Sequence, residues 1–165
     1  MSHLVLVGMM GVGKTTVGRI ASNRLDRPLI DSDQVIEQRT GRTVREIFEA
    51  DGEPAFRAVE TEVLLEALAG AEPSVIVAAG GVVLDPSNRK AINDADARVV
   101  WLVAEPVTLV ERVERGGHRP LLDRDPTATL ERMWEERQPL YREVADAIVS
   151  VENRSLHEVV EAVLR

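Results

Sequence analysis

Short apolar runs alternate along the chain with longer segments in which apolar and polar positions follow helical spacing. The apolar runs predict strands at residues 4–7, 28–30, 74–78, 98–103 and 147–151. The segments between them predict helices at residues 14–25, 33–39, 44–50, 54–69, 86–92, 106–115, 127–144 and 156–164. Apolar strands that alternate with helices are typical of a parallel sheet covered by helices. The pattern therefore predicts an α/β fold with a central five-stranded parallel sheet.

One segment between two predicted helices fits neither pattern. Residues 116–126 contain two glycines, two prolines and four charged residues. A connection of this length between helices is more typical of a functional loop than of a simple linker. We therefore predict a mobile loop, or lid, at about residues 116–126.

Length and composition limit the classes of protein to which this chain can belong. A chain of 165 residues, with 44% hydrophobic and 29% charged residues, is expected to form a single globular domain over residues 1–165. The net charge of −8 and the aromatic content of 3% argue against nucleic acid and anionic membranes as partners. No apolar stretch is long enough to span a membrane and no leader pattern precedes the first strand, so we expect a cytoplasmic protein. No exposed apolar helix stripe stands out, and we expect a monomer.

The strongest chemical signal directly follows the first predicted strand. Residues 8–16 read GMMGVGKTT and match the phosphate-binding pattern G-x-x-x-x-G-K-[ST] between a strand and a helix. In such a loop the backbone N–H groups point at phosphates, the lysine reaches the β- and γ-phosphates, and the hydroxyl binds Mg²⁺. The sequence therefore predicts an ATP phosphate site formed by Gly11, Val12, Gly13, Lys14, Thr15 and Thr16.

The loops after the second and third predicted strands add candidates, because ligands gather at the carboxyl ends of parallel strands. Asp31 and Asp33 alternate there, so one can help to hold Mg²⁺ and the other can orient an acceptor hydroxyl or accept its proton. Alternatively, Asp33 or Ser32 only caps the helix that would start at Gln34. Gly80 and Gly81 allow a ligand to approach the backbone closely, although a simple turn uses the same residues.

Several arginines are candidates for binding anions, and each has an ordinary structural alternative. Arg57 lies three and four residues from Glu60 and Glu53, at spacings that also suit a surface ion pair. Arg137 precedes Pro139, which we expect to kink or break the long helix and to turn the arginine inward. The alternative for Arg137 is one more charge on a solvated face. The same two interpretations apply to the remaining candidates, Arg119 and Arg154.

Together these motifs resemble those of the shikimate kinase family, and the resemblance covers essentially the whole chain. The matching segments are residues 8–16, DSD at 31–33, GEPAFR at 52–57 with Glu60, GGVV at 80–83, RPLL at 119–122 and RQPLY at 137–141. The resemblance implies a P-loop NTPase-like three-layer sandwich, with helices on both faces of the sheet and a mobile lid. It also implies that ATP and shikimate react to give ADP and shikimate 3-phosphate, a step toward aromatic amino acids.

The resemblance further implies a role for each candidate residue. At the acceptor, Arg57 and Arg137 would bind the shikimate carboxylate, with Glu60 holding one of them in position. Asp33 would bind the diol and orient the 3-hydroxyl, supported by the backbone at Gly80 and Gly81.

At the nucleotide, the resemblance implies that Lys14 and Arg119 neutralise the transferred phosphoryl group. Thr15 and, through water, Asp31 would hold Mg²⁺. The adenine would lie near Arg154, with Arg112 or Arg115 as a stacking partner.

Two other functions fit part of the pattern. Another small P-loop kinase, acting on a sugar acid such as gluconate or on a nucleoside monophosphate, would share the phosphate loop. The pair Arg57 and Arg137 together with Asp33 suits a hydroxylated acid better than a nucleotide. A nucleotide-binding switch would keep the phosphate loop without catalysis, but the intact acceptor candidates argue against it.

Overall fold

A single parallel sheet forms the centre of the computed structural model, which describes residues 1–116 and 125–165. Its five strands have the order β2-β3-β1-β4-β5. The strands are β1 (His3–Val7), β2 (Leu29–Asp31), β3 (Val75–Val77), β4 (Ala97–Val103) and β5 (Ala147–Ser150). Every residue of β1 and β3 is buried, as expected of central parallel strands that helices cover on both faces. The predicted five-stranded parallel sheet is confirmed.

The predicted helices are also present, with bounds within two residues of those expected from the sequence. They are α1 (Lys14–Leu25), α2 (Ser32–Thr40), α3 (Val44–Asp51), α4 (Glu53–Ala69), α5 (Pro86–Asp94), α6 (Pro106–Gly116), α7 (Pro126–Val144) and α8 (Leu156–Leu164). A 3₁₀ helix at Val82–Leu84 was not predicted, because three residues are too few to show a helical period. None of the helices in the described part combines the length and apolar character that a membrane span requires.

The register of the sheet shows that helices lie on both faces. Leu6 is paired with Val100, so Trp101 points to the face opposite Leu6. On the face of Leu6, α1 packs so closely that a Cβ at Gly18 would come within 2.5 Å of Val77. On the other face, Trp101 stacks against Tyr141 of α7, with 5.7 Å between the ring centroids. The three-layer arrangement is therefore confirmed.

A second, smaller apolar cluster lies apart from the main core. It joins α2, α3 and α4 through Ile36, Ile47, Phe56 and Val63. This cluster fixes the position of the first turns of α2 and α4, which carry Asp33 and Arg57.

The predicted lid lies mostly outside the described residues, as does Arg119. Of that segment, Asp125 is the N-cap of α7, and its carboxylate accepts a hydrogen bond from the backbone N–H of Ala128 at 3.1 Å.

Candidate active site

The loop between β1 and α1 is shaped by glycines in the left-handed region of backbone space. Gly11 and Gly13 have φ values of 83° and 102°, which side chains with a Cβ rarely adopt. The Lys14 ammonium donates to the backbone carbonyl oxygens of Gly8 (2.6 Å) and Met9 (3.1 Å). The cation is therefore held over the loop in which the sequence predicts a phosphate site.

Asp31 joins the phosphate loop to the end of β2. Its Oδ2 accepts a hydrogen bond from the Thr15 hydroxyl at 2.7 Å, and its side chain is the N-cap of α2, accepting from the backbone N–H of Gln34. The prediction that Asp33 or Ser32 caps this helix is wrong, because β2 continues to Asp31 and α2 begins one residue later. Asp33 lies in the first turn of α2 and lines a cleft beside the phosphate loop, here called the main cleft.

Arg57 and Glu60 form an ion pair at the wall of this cleft. Arg57 Nη1 donates to both carboxylate oxygens of Glu60 at 3.0 Å, and Nη2 donates to Glu53 at 3.3 Å. Glu60 is only 1% exposed. Burial raises the pKa of Glu60, and nearby Asp33 raises it further, while Arg57 and Arg137 act in the opposite direction. Arg57 does form the ion pair that its spacing suggests, but this pair lies in the cleft and not on an open surface.

Arg137 is buried although it carries a charge, with an exposed fraction of 3%. Its Nε has no hydrogen-bond partner among the described residues. The expected break at Pro139 is absent, since α7 continues through the proline to Val144. Buried side chains on both sides of Pro139, including Met133 and Tyr141, hold the helix together where the proline removes a backbone donor.

Tyr141 is a site residue whose individual role the sequence did not indicate. It lies one helical turn after Arg137 and its hydroxyl donates to the carbonyl oxygen of Gly80 at 2.6 Å. Burial raises the pKa of Tyr141 to about 12, so the hydroxyl keeps the proton that it donates. Only the spacing of four residues from Arg137, which places both on one face of α7, could have indicated this contact.

The two glycines after β3 lie where other groups need their space. A Cβ at Gly81 would come within 1.9 Å of the Nη1 of Arg57. A Cβ at Gly80 would come within 3.3 Å of the carbonyl oxygen of Gly8 in the phosphate loop. The missing side chains therefore allow the arginine and the phosphate loop to approach the same turn.

These elements surround one cleft of about 710 Å³. Phosphate-loop residues line it together with the acceptor candidates, and the set includes Gly11, Gly13, Lys14, Thr15, Thr16, Asp31, Asp33, Arg57, Glu60, Gly80, Gly81 and Arg137. The structure thus brings together most of the described candidates from both sets in this cleft. Val12 and Arg154 do not line it and border a second cavity, and Arg119 lies outside the described residues.

A second cavity of about 200 Å³ adjoins the outer side of the phosphate loop. Apolar side chains line most of it, while Arg112 and Arg154 add two guanidinium groups. The Nη1 of Arg112 also donates to the carbonyl oxygens of Val12 (3.0 Å) and Gly11 (3.4 Å). The cavity therefore has partly apolar walls and two guanidinium groups beside the phosphate site.

The donor set for a metal ion is small. Among the described residues there is no group of three or more histidine and carboxylate side chains that could hold an ion. A hydroxyl and a carboxylate do meet at Thr15 and Asp31. That set fits Mg²⁺, which in kinases is held by one or two protein oxygens, water and substrate phosphates.

The fold and the cleft define a class, the small P-loop kinases with an acceptor pocket beside the phosphate loop. Comparison with known proteins gives the family. The family model described as shikimate kinase matches residues 10–165. The chain is 43% identical to the shikimate kinase of Symbiobacterium thermophilum, with 98% of this chain and 94% of that protein covered. It is 44% identical to that of Burkholderia thailandensis, with 98% of this chain and 88% of that protein covered.

A solved structure agrees with these sequence matches. The shikimate kinase of Acinetobacter baumannii, determined in complex with shikimate, superposes with a TM-score of 0.94 at 36% identity and covers 99% of this chain and 91% of that one. The chain belongs to the shikimate kinase family. It is an ATP-dependent phosphotransferase whose reaction converts ATP and shikimate to ADP and shikimate 3-phosphate.

Proposed function

We propose that the main cleft binds shikimate and the ATP phosphates at adjoining positions, with Asp33 between them. The observation that supports this is the single cleft lined by the phosphate loop, Asp33 and the ion pair of half-buried Arg57 with buried Glu60. Phosphoryl transfer needs alignment of the acceptor and neutralisation of charge more than covalent chemistry by the protein. Each side chain in the cleft is assigned to one of these two tasks.

Arg57 and Arg137 bind the carboxylate of shikimate. The bidentate contact between Arg57 and Glu60 fixes the guanidinium before substrate arrives, which reduces the entropy lost on binding. Arg137 is buried and lines the cleft, so an incoming carboxylate has a second guanidinium to pair with there. Gly80 and Gly81 provide the close backbone wall against which the ring lies.

Asp33 binds the diol of shikimate and orients the 3-hydroxyl toward the γ-phosphate. It lies in the first turn of α2 and lines the cleft together with Lys14 and Thr15. The carboxylate accepts a hydrogen bond from the hydroxyl, and the proton moves to Asp33 as the hydroxyl oxygen bonds to the γ-phosphorus and the bond from that phosphorus to the bridging oxygen of ADP breaks.

The phosphate loop holds ATP through the backbone at Gly11, Val12 and Gly13 and through Lys14, with Thr16 at the start of α1. Lys14 and Arg119 neutralise charge on the phosphoryl group in transfer. Thr15 and Asp31 would hold Mg²⁺, which when bound would supply further neutralisation of the phosphates. The adenine enters the 200 Å³ cavity beside Arg112 and Arg154.

The remaining expectations belong to the same proposal. The protein works as a cytoplasmic monomer on two small molecules, without nucleic acid or membrane as partners.

A coupled assay of ADP release tests the acceptor. The purified protein, with ATP and Mg²⁺, is given shikimate, gluconate, AMP or no acceptor. Turnover that depends on shikimate and on Mg²⁺ is the expected result. Equal turnover with gluconate or AMP, or without acceptor, would contradict the proposed pocket while leaving the phosphate loop in place.

A further inference from the structure

Glu152 connects two walls of the 200 Å³ cavity. It lies two residues after the end of β5. Its Oε1 accepts a hydrogen bond from the backbone N–H of Glu105 at 2.9 Å, and its Oε2 accepts one from the Thr108 hydroxyl at 3.1 Å. Both donors belong to the start of α6, whereas Glu152 belongs to the loop between β5 and α8. One side chain therefore holds α6 against that loop.

The geometry is that of a capping box whose carboxylate comes from elsewhere in the chain. Glu105 is the N-cap position of α6, since its carbonyl oxygen accepts from the backbone N–H of Leu109, and Thr108 is the third helical residue. In α3 and α8 the third residue is a glutamate that closes the box locally. In α6 that position is a threonine, and Glu152 supplies the missing carboxylate.

A local glutamate would satisfy the helix end equally well, so the long-range contact has a second effect. It fixes where α6 lies relative to the loop that carries Arg154. Thr108 and Arg112 are four residues apart and share a face of α6. Arg112 reaches the phosphate loop at Val12, and Arg112 and Arg154 both line the cavity.

We propose that Glu152 is a positioning residue for the nucleotide. By holding α6 against the 151–155 loop, it sets the separation of Arg112 and Arg154 and thereby the affinity for the base and ribose. It does so without contacting the phosphates. The inference rests on the proposed function in one respect, namely that the cavity receives the adenosine part of ATP.

Binding of ADP and of inorganic pyrophosphate, each with Mg²⁺, tests this role by titration calorimetry. In Glu152→Ala we expect the Kd for ADP to rise about tenfold, while the Kd for pyrophosphate changes less than twofold, because the phosphate loop is intact. The KM for ATP rises similarly, whereas kcat and the KM for shikimate stay within about twofold. Glu152→Gln restores most of the ADP affinity, since its side chain can still bridge Glu105 and Thr108.

The matched control is Glu46→Ala, which removes the capping carboxylate of α3. It is expected to lower stability without changing ADP affinity. Equal weakening of ADP and pyrophosphate in Glu152→Ala, no weakening of ADP, or the same weakening in Glu46→Ala would each overturn the proposal.

If Glu152→Ala does not fold, the same binding measurements are made on Thr108→Val instead. It removes one of the two hydrogen bonds and should raise the Kd for ADP about threefold, and an unchanged Kd would overturn the proposal. These binding measurements do not involve shikimate. A wild-type enzyme that fails to phosphorylate shikimate but shows the expected ADP results would contradict the proposed acceptor and still support the role of Glu152.

Discussion

The proposed phosphate end and the proposed acceptor end of the main cleft are built in different ways. At the phosphate end, the loop presents its own backbone, shaped by glycines with positive φ, and one short stretch of chain supplies most of the site. At the acceptor end, buried and half-buried side chains from α2, α4 and α7 line the same cleft as the glycine turn after β3. The phosphate end is thus a local structure, whereas the acceptor end exists only after four distant segments have packed together.

The largest effect is expected at the phosphate end, where Lys14 is the one cationic side chain of the loop at residues 8–16. Lys14→Ala should lower kcat by about 10³-fold, because no other group of the loop neutralises the transferred phosphoryl charge. The coupled ADP assay measures this, with Lys90→Ala, at an exposed position on α5, as the control. Near-native turnover of Lys14→Ala would contradict the phosphate-loop assignment.

Asp33 tests the junction between the two ends. Asp33→Asn should lower kcat by on the order of 10²-fold, since the amide neither accepts the proton nor orients the hydroxyl equally well. The Kd for ADP, measured by calorimetry, should stay the same. Asp94→Asn, at an exposed position of α5, serves as the control. A variant with unchanged kcat would remove Asp33 from the reacting centre.

A change to the glycine turn tests how the acceptor end depends on packing. Gly81→Ala should raise the KM for shikimate about tenfold, because the new Cβ would displace the Arg57 guanidinium from its position. Arg57→Ala should raise the KM for shikimate more, about thirtyfold, because this substitution removes a cation from the acceptor end of the cleft.

The double variant gives the control for this pair. In the Arg57→Ala background, Gly81→Ala should have little further effect, since the clash has been removed. Fully additive effects of the two substitutions would show that Gly81 acts independently of Arg57.

The smallest effect concerns the stability of the acceptor end as a function of pH. Because the pKa of Glu60 is raised in the folded protein, this group stabilises the fold most below its unfolded pKa, and that contribution is lost as pH rises through the folded pKa. The free energy of unfolding of the wild type should therefore fall relative to that of Glu60→Gln as pH rises from about 4 to neutrality. Urea unfolding of both proteins across this range measures the difference. A constant difference, or the opposite slope, would contradict the raised pKa.

The contrast between the two ends also explains what the sequence could predict. The strands, the helices and the phosphate loop depend on local patterns, and each was predicted at nearly the correct residues. Arg57 and Arg137 were ambiguous individually, because a surface ion pair and a buried acceptor site use the same residue spacing. Only the order of several motifs, through the family resemblance, favoured the second interpretation.

Other features depended on contacts that no local pattern contains. The bond from Tyr141 to Gly80 joins residues 61 positions apart, and the contacts of Glu152 reach across 44 and 47 positions. The continuity of α7 through Pro139 likewise depends on tertiary packing that outweighs the local preference of proline. The cap at Asp31 was missed for a smaller reason, because α2 begins at Ser32, one residue earlier than predicted.

The strand order has a consequence for synthesis on the ribosome. β1 is made first but lies at the centre of the sheet, where Leu4 is paired with Val75 on one side and Arg98 on the other. At a translation rate of about 5–20 residues per second, this apolar strand waits on the order of ten seconds for both neighbours. A nascent chain therefore leaves β1, every residue of which is buried in the folded protein, without its sheet neighbours for longer than any other strand.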